Sequence, residues 1–226
     1  MNEPALYRWP ASAAFGRPVP KTKFYEHGNV RAALREKFVD DIQRITWAYK
    51  LADTTIHLGG SDAVPEIQVF TIETKRQDVA DDVLAAIDKS VHFPLIFEIT
   101  GPDRVRMVAA QKTLGTTSPR VGTYFSTEWL PADAPRCSLP TAIDLSSLYE
   151  AILASLLPLP TRVGETVSDA TDRMNAARKL QREIAALEKK LRTEPQLNRK
   201  IDLRKQLKDR AATLVELTNP APSTKG

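Results

Sequence analysis

Between Arg173 and Arg210 the chain carries Leu180, Ile184, Leu187 and Leu191 at spacings of four, three and four. That rhythm marks the apolar seam of a helix that packs along another helix. Thr193-x-x-Gln196 matches a capping box around Pro195, so the spacing predicts a second helix beginning there. Its arm offers Leu197, Ile201, Leu207, Ala211 and Leu214, with Arg204 interrupting the seam. An antiparallel helical hairpin is the expectation, with one bent helix as the alternative. The tract holds thirteen Lys or Arg against five Asp or Glu, or +8, so the rest of the chain carries 4 − 8 = −4. Charge is thus concentrated at one end of the molecule.

At 226 residues the chain has room for one domain with an appendage or for two small domains, and 42% hydrophobic with 27% charged residues is a globular balance. No apolar run approaches the roughly 20 residues that span a bilayer, and MNEPALYRWP lacks a signal-peptide core, so a cytoplasmic protein is expected. Cys137 has no partner for an internal disulfide, and His27, His57 and His92 are scattered. Neither a metal nor a cofactor is expected. The nine glycines include no dinucleotide or P-loop motif, and no serine or cysteine sits in a nucleophile context.

Residues 1–23, with Pro4, Pro10, Pro18 and Pro20, read as a loose arm bearing Tyr7 and Trp9 as docking points. From Asn29 as N-cap, Leu34, Phe38, Ile42, Ile45 and Tyr49 form one helical stripe. Thr54–Leu58 and Glu66–Thr74 then read as a hairpin, followed by a helix over Val79–Val91. Strands follow at Phe93–Ile99, Arg104–Gln111 and Gly122–Trp129. The fold class is α+β: a mainly antiparallel sheet of about five strands with helices on one face, then the C-terminal helical hairpin. The domain is placed at 24–130, a connector with a short helix at 131–164, the basic hairpin at 165–217 and a disordered tail at 218–226.

Glu73-x-Lys75 on a strand has the spacing by which PD-(D/E)xK nucleases hold Mg²⁺ and orient water, with Asp62 or Asp53 as a candidate further carboxylate. A solvated pair at a strand end is the plain alternative. Asp40, Asp41 and Arg44 could join such a site or form the wet side of a helix, and Trp47, Tyr49, Tyr124 and Phe125 could stack bases or pack the core. The basic residues of the tail are Arg178, Lys179, Arg182, Lys189, Lys190, Arg199, Lys200, Arg204, Lys205 and Lys208. They suit contact with phosphates, or a solvated exterior that meets an acidic protein partner.

Phe24-Tyr25-Glu26, Ile45–Leu51, Glu66–Glu73, Ala86–Lys89, Phe93–Glu98 and Gln196–Leu203 together resemble the uncharacterised bacterial family numbered 4391 among the domains of unknown function. The resemblance implies a context and no catalytic residue: such genes tend to lie beside a superfamily-two helicase and a DNA methyltransferase, in restriction-like or phage-defence loci. The leading expectation is therefore a non-catalytic adaptor that bridges helicase or methyltransferase subunits and DNA. A Mg²⁺-dependent nuclease using Glu73 and Lys75 and a stand-alone DNA-binding module are the alternatives. The hairpin could also be shared between two copies of the chain.

Overall fold

The structure, a computed structural model, describes residues 6–25, 31–75, 78–115 and 119–219. The chain divides into two compact units, Met1–Pro158 and Leu159–Gly226. In the first, the strands are β1 (Leu6–Tyr7), β2 (Ala14–Pro18), β3 (Ile42–Leu51), β4 (Ile67–Thr74), β5 (Leu95–Thr100), β6 (Arg104–Thr113), β7 (Arg120–Ser126), β8 (Leu130–Pro131) and β9 (Arg136–Cys137). The helices are α1 (Thr22–Tyr25), α2 (Ala32–Asp41), α3 (Asp53–Ile56), α4 (Asp81–Ser90) and α5 (Leu145–Leu156). A mainly antiparallel sheet of seven strands runs β2-β3-β4-β5-β6-β7 with β8 beside β6, so the α+β class holds with more strands than the five expected. Within this sheet β4 and β5 run parallel and are joined through α4.

The extra edge strand comes from the proline-rich arm. Ala14–Pro18 pairs with β3, Leu6–Tyr7 pairs with Arg136–Cys137, and Tyr7 and Trp9 are buried. Arm residues 6–23 are therefore part of the domain, because proline at a sheet edge costs no ladder hydrogen bond.

The long first helix is the main correction. It stops at Asp41, and β3 begins at Ile42. The register slips between Ile42 and Arg44, a β-bulge, so Ile42 and Ile45 both reach the core although three apart. A bulged strand thus reproduced the spacing of a helix. The second bulge, between Trp47 and Tyr49, sends these rings to opposite faces: Trp47 lies 6.2 Å from Phe70, and Tyr49 lies 6.0 Å from Trp9. The N-cap expected at Asn29 lies outside the described residues, as does the tail beyond Asn219.

Thr54–Leu58 does not form a strand. Asp53–Ile56 makes a helical turn, and the antiparallel partner of β4 is β3. The Gly59–Asp62 stretch, expected as a hairpin turn, instead ties down α5: Leu145 N donates to Gly59 O and Ser61 faces Ser146 at 2.8 Å. A Cβ on Gly60 would meet the Pro65 carbonyl at 2.7 Å, so only glycine fits there.

One face of the sheet packs on α2 and α4, where Phe38, Val83, Leu84 and Ile87 meet Ile72, Phe97 and Ile99. Phe97 and Ile99 face these helices, so alternation turns Ile96 and Glu98 to the other side. Both are buried, and Glu98 accepts there from Trp9 Nε1 at 2.7 Å and from Arg136 Nη1 at 2.6 Å.

The second unit is an antiparallel pair, α6 (Val167–Thr193) and α7 (Leu197–Thr218). Thr166 caps α6 by accepting from Asp169 N. The expected capping box at Thr193 does not form: that hydroxyl donates back to Lys189 and Lys190 carbonyls, ending α6, and Pro195 lies in the connector. The less exposed positions of α7 include Leu203, Leu207, Arg210, Leu214 and Leu217, at spacings of four, three, four and three. They run beside Leu180, Ile184, Leu187 and Leu191 of α6. Of the seam read in the sequence, Leu207 and Leu214 lie in it, whereas Leu197, Ile201 and Ala211 are exposed. Arg204 does not interrupt it, and Arg210, which occupies it, pairs with Glu183 at 2.9 Å. Among the described residues no helix is long and apolar enough to cross a membrane.

Candidate functional site

The fold does not gather the carboxylates and lysine of a nuclease site. Glu73 lies opposite Arg44 on β3 and accepts from its Nε at 2.7 Å. Lys75 leaves the strand and donates from Nζ to Val39 O and from its backbone N to Asp41 O, both at 2.8 Å. A lysine on the last carbonyls of α2 complements the negative end of that helix. Asp62 and Asp53 lie at the other end of β4, since Leu51 pairs with Ile67 and Arg44 with Glu73. Six residues of strand separate Ile67 from Glu73, about 20 Å. Arg44 is on β3 rather than on the helix carrying Asp40 and Asp41. Glu73→Gln is expected to shift stability by less than about 1 kcal/mol in urea titration, the worth of an exposed ion pair. No group of three or more potential ligands gathers for a metal among the described residues.

A buried cluster that the sequence reading missed is Lys112, Asp88 and Tyr124. Lys112 falls two and four residues after Ala110 and Val108, a core-facing phase of β6, and is 4% exposed. Its Nζ donates to the carbonyls of Asp88, Val91 and Phe93 at 2.7, 2.9 and 2.7 Å. Three hydrogens are thereby committed to three carbonyls. Asp88 Oδ1 lies against the ammonium without a directed hydrogen bond, while Oδ2 accepts from Tyr124 at 2.8 Å. Burial pushes the Lys112 ammonium down and the Asp88 carboxyl up, each opposed by the other's charge. Burial, then the Asp88 charge, pushes the Tyr124 and Tyr149 hydroxyls far above their ordinary range. With every Lys112 proton engaged, the cluster secures the end of α4 to β6. A lysine ending a β-rich run at core phase was the available signal.

Of the aromatic candidates, Tyr124 is held by Asp88 and Phe125 is buried. Trp47 is half-buried, with its ring 4.0 Å from Phe15 and its Nε1 donating to Tyr49 O at 3.0 Å.

The basic candidates of the second unit are all on α6 and α7, and all but the half-buried Lys200 are exposed. They spread over two outer faces. At 100° per residue Arg178, Arg182 and Lys189 share one stripe of α6, opposite its seam. On α7, Lys208 and Arg204 alternate with apolar residues that the seam does not use: Leu197, Ile201 and Val215 are 70%, 55% and 64% exposed. Leu197 and Val215 are 215 − 197 = 18 residues apart, five turns of 3.6, and Ile201 lies 40° from them. No residue of α7 is buried.

The open end of this pair is locked by Arg173, buried on α6. It donates to both carboxylate oxygens of Glu165, from Nε at 2.6 Å and Nη2 at 2.8 Å, and to Leu217 O at 2.9 Å and Pro160 O at 3.0 Å. Those bonds hold the Glu165 carboxyl below the usual carboxylate range. A depressed carboxylate stabilises the fold only while ionised. Its contribution is expected to be complete above about pH 4.5 and to fade as pH falls through the lower folded value. Comparing thermal midpoints of the protein and of Glu165→Gln across that range checks this: the two converge at low pH.

No curated protein and no solved structure matches the chain. A family model described as a domain of unknown function does match, over residues 8–214, which takes in the sheet, α5 and nearly all of the helical pair. The chain therefore belongs to the DUF4391 family.

Proposed function

We propose that the protein is a non-catalytic accessory subunit that docks on an acidic protein partner through the outer face of α7. The observation that carries this reading is the mixed character of that face: Leu197, Ile201 and Val215 stand exposed among Arg204 and Lys208. A 22-residue helix with no buried residue leaves apolar surface that a third helix would cover. Phosphates gain nothing from leucine and valine, whereas an acidic amphipathic helix complements both components. The purely basic stripe of α6, Arg178, Arg182 and Lys189, suits DNA phosphates, so one subunit could bridge a protein and DNA.

The gene neighbourhood that the family resemblance implies directs the search for the partner to helicase and DNA methyltransferase subunits of a cytoplasmic restriction or phage-defence assembly. A second copy of the chain is disfavoured as occupant, because it would bring its own basic face against this one. The test is co-purification with Leu197→Glu/Ile201→Glu protein. Retention of the partner by that variant contradicts the assignment.

A further inference from the structure

Within the first unit, a groove of about 1420 Å³ opens over β3 and β4, between α2 and α4. Its volume exceeds the roughly 300–1,000 Å³ of a site for one small molecule. Phe24 and Phe70 form buried parts of its floor, and the half-buried Trp47 and Phe93 stand at its sides. β4 runs between the strand of Trp47 and the segment leading into β5, so these two rings flank the floor from opposite sides, offset by two strand spacings across the sheet and four residues along it, roughly 16 Å apart. The floor also contains the amide of Gln68, held by donation to Glu66 at 2.6 Å, and Ser90 lies at the edge.

The rim is cationic. Among the described residues, Lys23, Arg31, Lys37 and Lys89 line it with one acid, Asp82, which Lys37 already neutralises. Aromatic rings set among aliphatic side chains such as Val19, Leu34 and Val91, polar edges at the floor and positive charge at the mouth fit a ligand of planar bases on an anionic backbone. A fatty acid brings one carboxylate to a rim of several cations, and a duplex would hide its base faces. We propose that this groove binds a short stretch of single-stranded nucleic acid, with bases against Trp47 and Phe93 and phosphates at Lys23, Arg31 and Lys89. The proposal is independent of the α7 docking face.

Lys112 shapes the groove from below, since the carbonyls of Asp88, Val91 and Phe93 that it holds belong to the wall carrying Phe93. It positions that wall and does not reach the ligand.

The test is fluorescence anisotropy of a labelled oligothymidylate titrated with full-length protein over a range of salt. Three variants serve: Arg31→Glu/Lys89→Glu at the exposed rim, Phe93→Leu at the side, and Arg178→Glu/Arg182→Glu/Lys189→Glu in the helical pair as a control. The rim variant is expected to bind at least about tenfold more weakly, with the log–log salt slope smaller by about 1.4 for two lost phosphate contacts. Phe93→Leu is expected to lose about fivefold or more with the slope unchanged, as stacking carries no counterion release. Unlabelled single strand competes, whereas duplex and mononucleotide compete at least tenfold less well. Unchanged affinity in both groove variants, loss only in the helical-pair control, or equal competition by duplex overturns the proposal.

Discussion

Lys112→Met is expected to destabilise the sheet unit by about 3–5 kcal/mol, the cost of removing one partner from a buried ion pair. The methionine fills most of the space but leaves three carbonyls without donors and the Asp88 carboxylate without its cation. A domain of this size has roughly 5–15 kcal/mol to lose, so the denaturant midpoint falls by about a fifth or more. Asp88→Asn in the same background relieves the orphaned charge and recovers part of that loss. The unpaired carbonyls of residues 88, 91 and 93 keep the rest. Full recovery in the double variant would mean that the ammonium–carbonyl bonds contribute nothing.

Leu197→Glu/Ile201→Glu is expected to cost at least about a hundredfold in partner affinity while leaving the thermal midpoint within a degree or two. Anchor residues at protein interfaces contribute about 2 kcal/mol or more each when truncated. Here two anchors are replaced by charges that also repel an acidic partner. Neither residue supports the fold, since at 70% and 55% exposure they make little contact with α6. Leu207→Glu is the contrasting change, because Leu207 sits in the seam and its replacement separates the helices.

The helical pair was legible because its signal is local: Leu180, Ile184, Leu187 and Leu191 are a seam in both sequence and structure. The partner seam was misread by taking Leu197 and Ile201 as its start. Two apolar phases coexist on α7, and periodicity alone cannot say which one is covered. In the sheet, Glu66–Thr74, Phe93–Ile99 and Arg104–Gln111 were recognisable from their β-branched and aromatic content, and β4, β5 and β6 fall on them. β3 was hidden by its bulges, which turn a period of two into steps of three. The arm was hidden by its prolines, which mark loops and sheet edges alike.

Glu73 and Lys75 were legible as a pair at a strand end, yet what each touches depends on β3 and α2. Lys112 and Asp88 lie 24 residues apart on different elements, so no spacing rule could have joined them. The groove was equally out of reach, because Trp47, Gln68 and Phe93 meet only when β4 lies between the other two.

The measurement that tests the docking account most directly is affinity capture of tagged full-length protein from its own cells, after nuclease treatment, with recovered proteins quantified by mass spectrometry. Unchanged protein, Leu197→Glu/Ile201→Glu and Arg178→Glu/Arg182→Glu/Lys189→Glu are run side by side. The account predicts an acidic-surfaced partner that survives nuclease, is retained by the α6 variant and is lost with the α7 variant. Equal recovery with the α7 variant, or recovery that disappears once nucleic acid is digested, would contradict it.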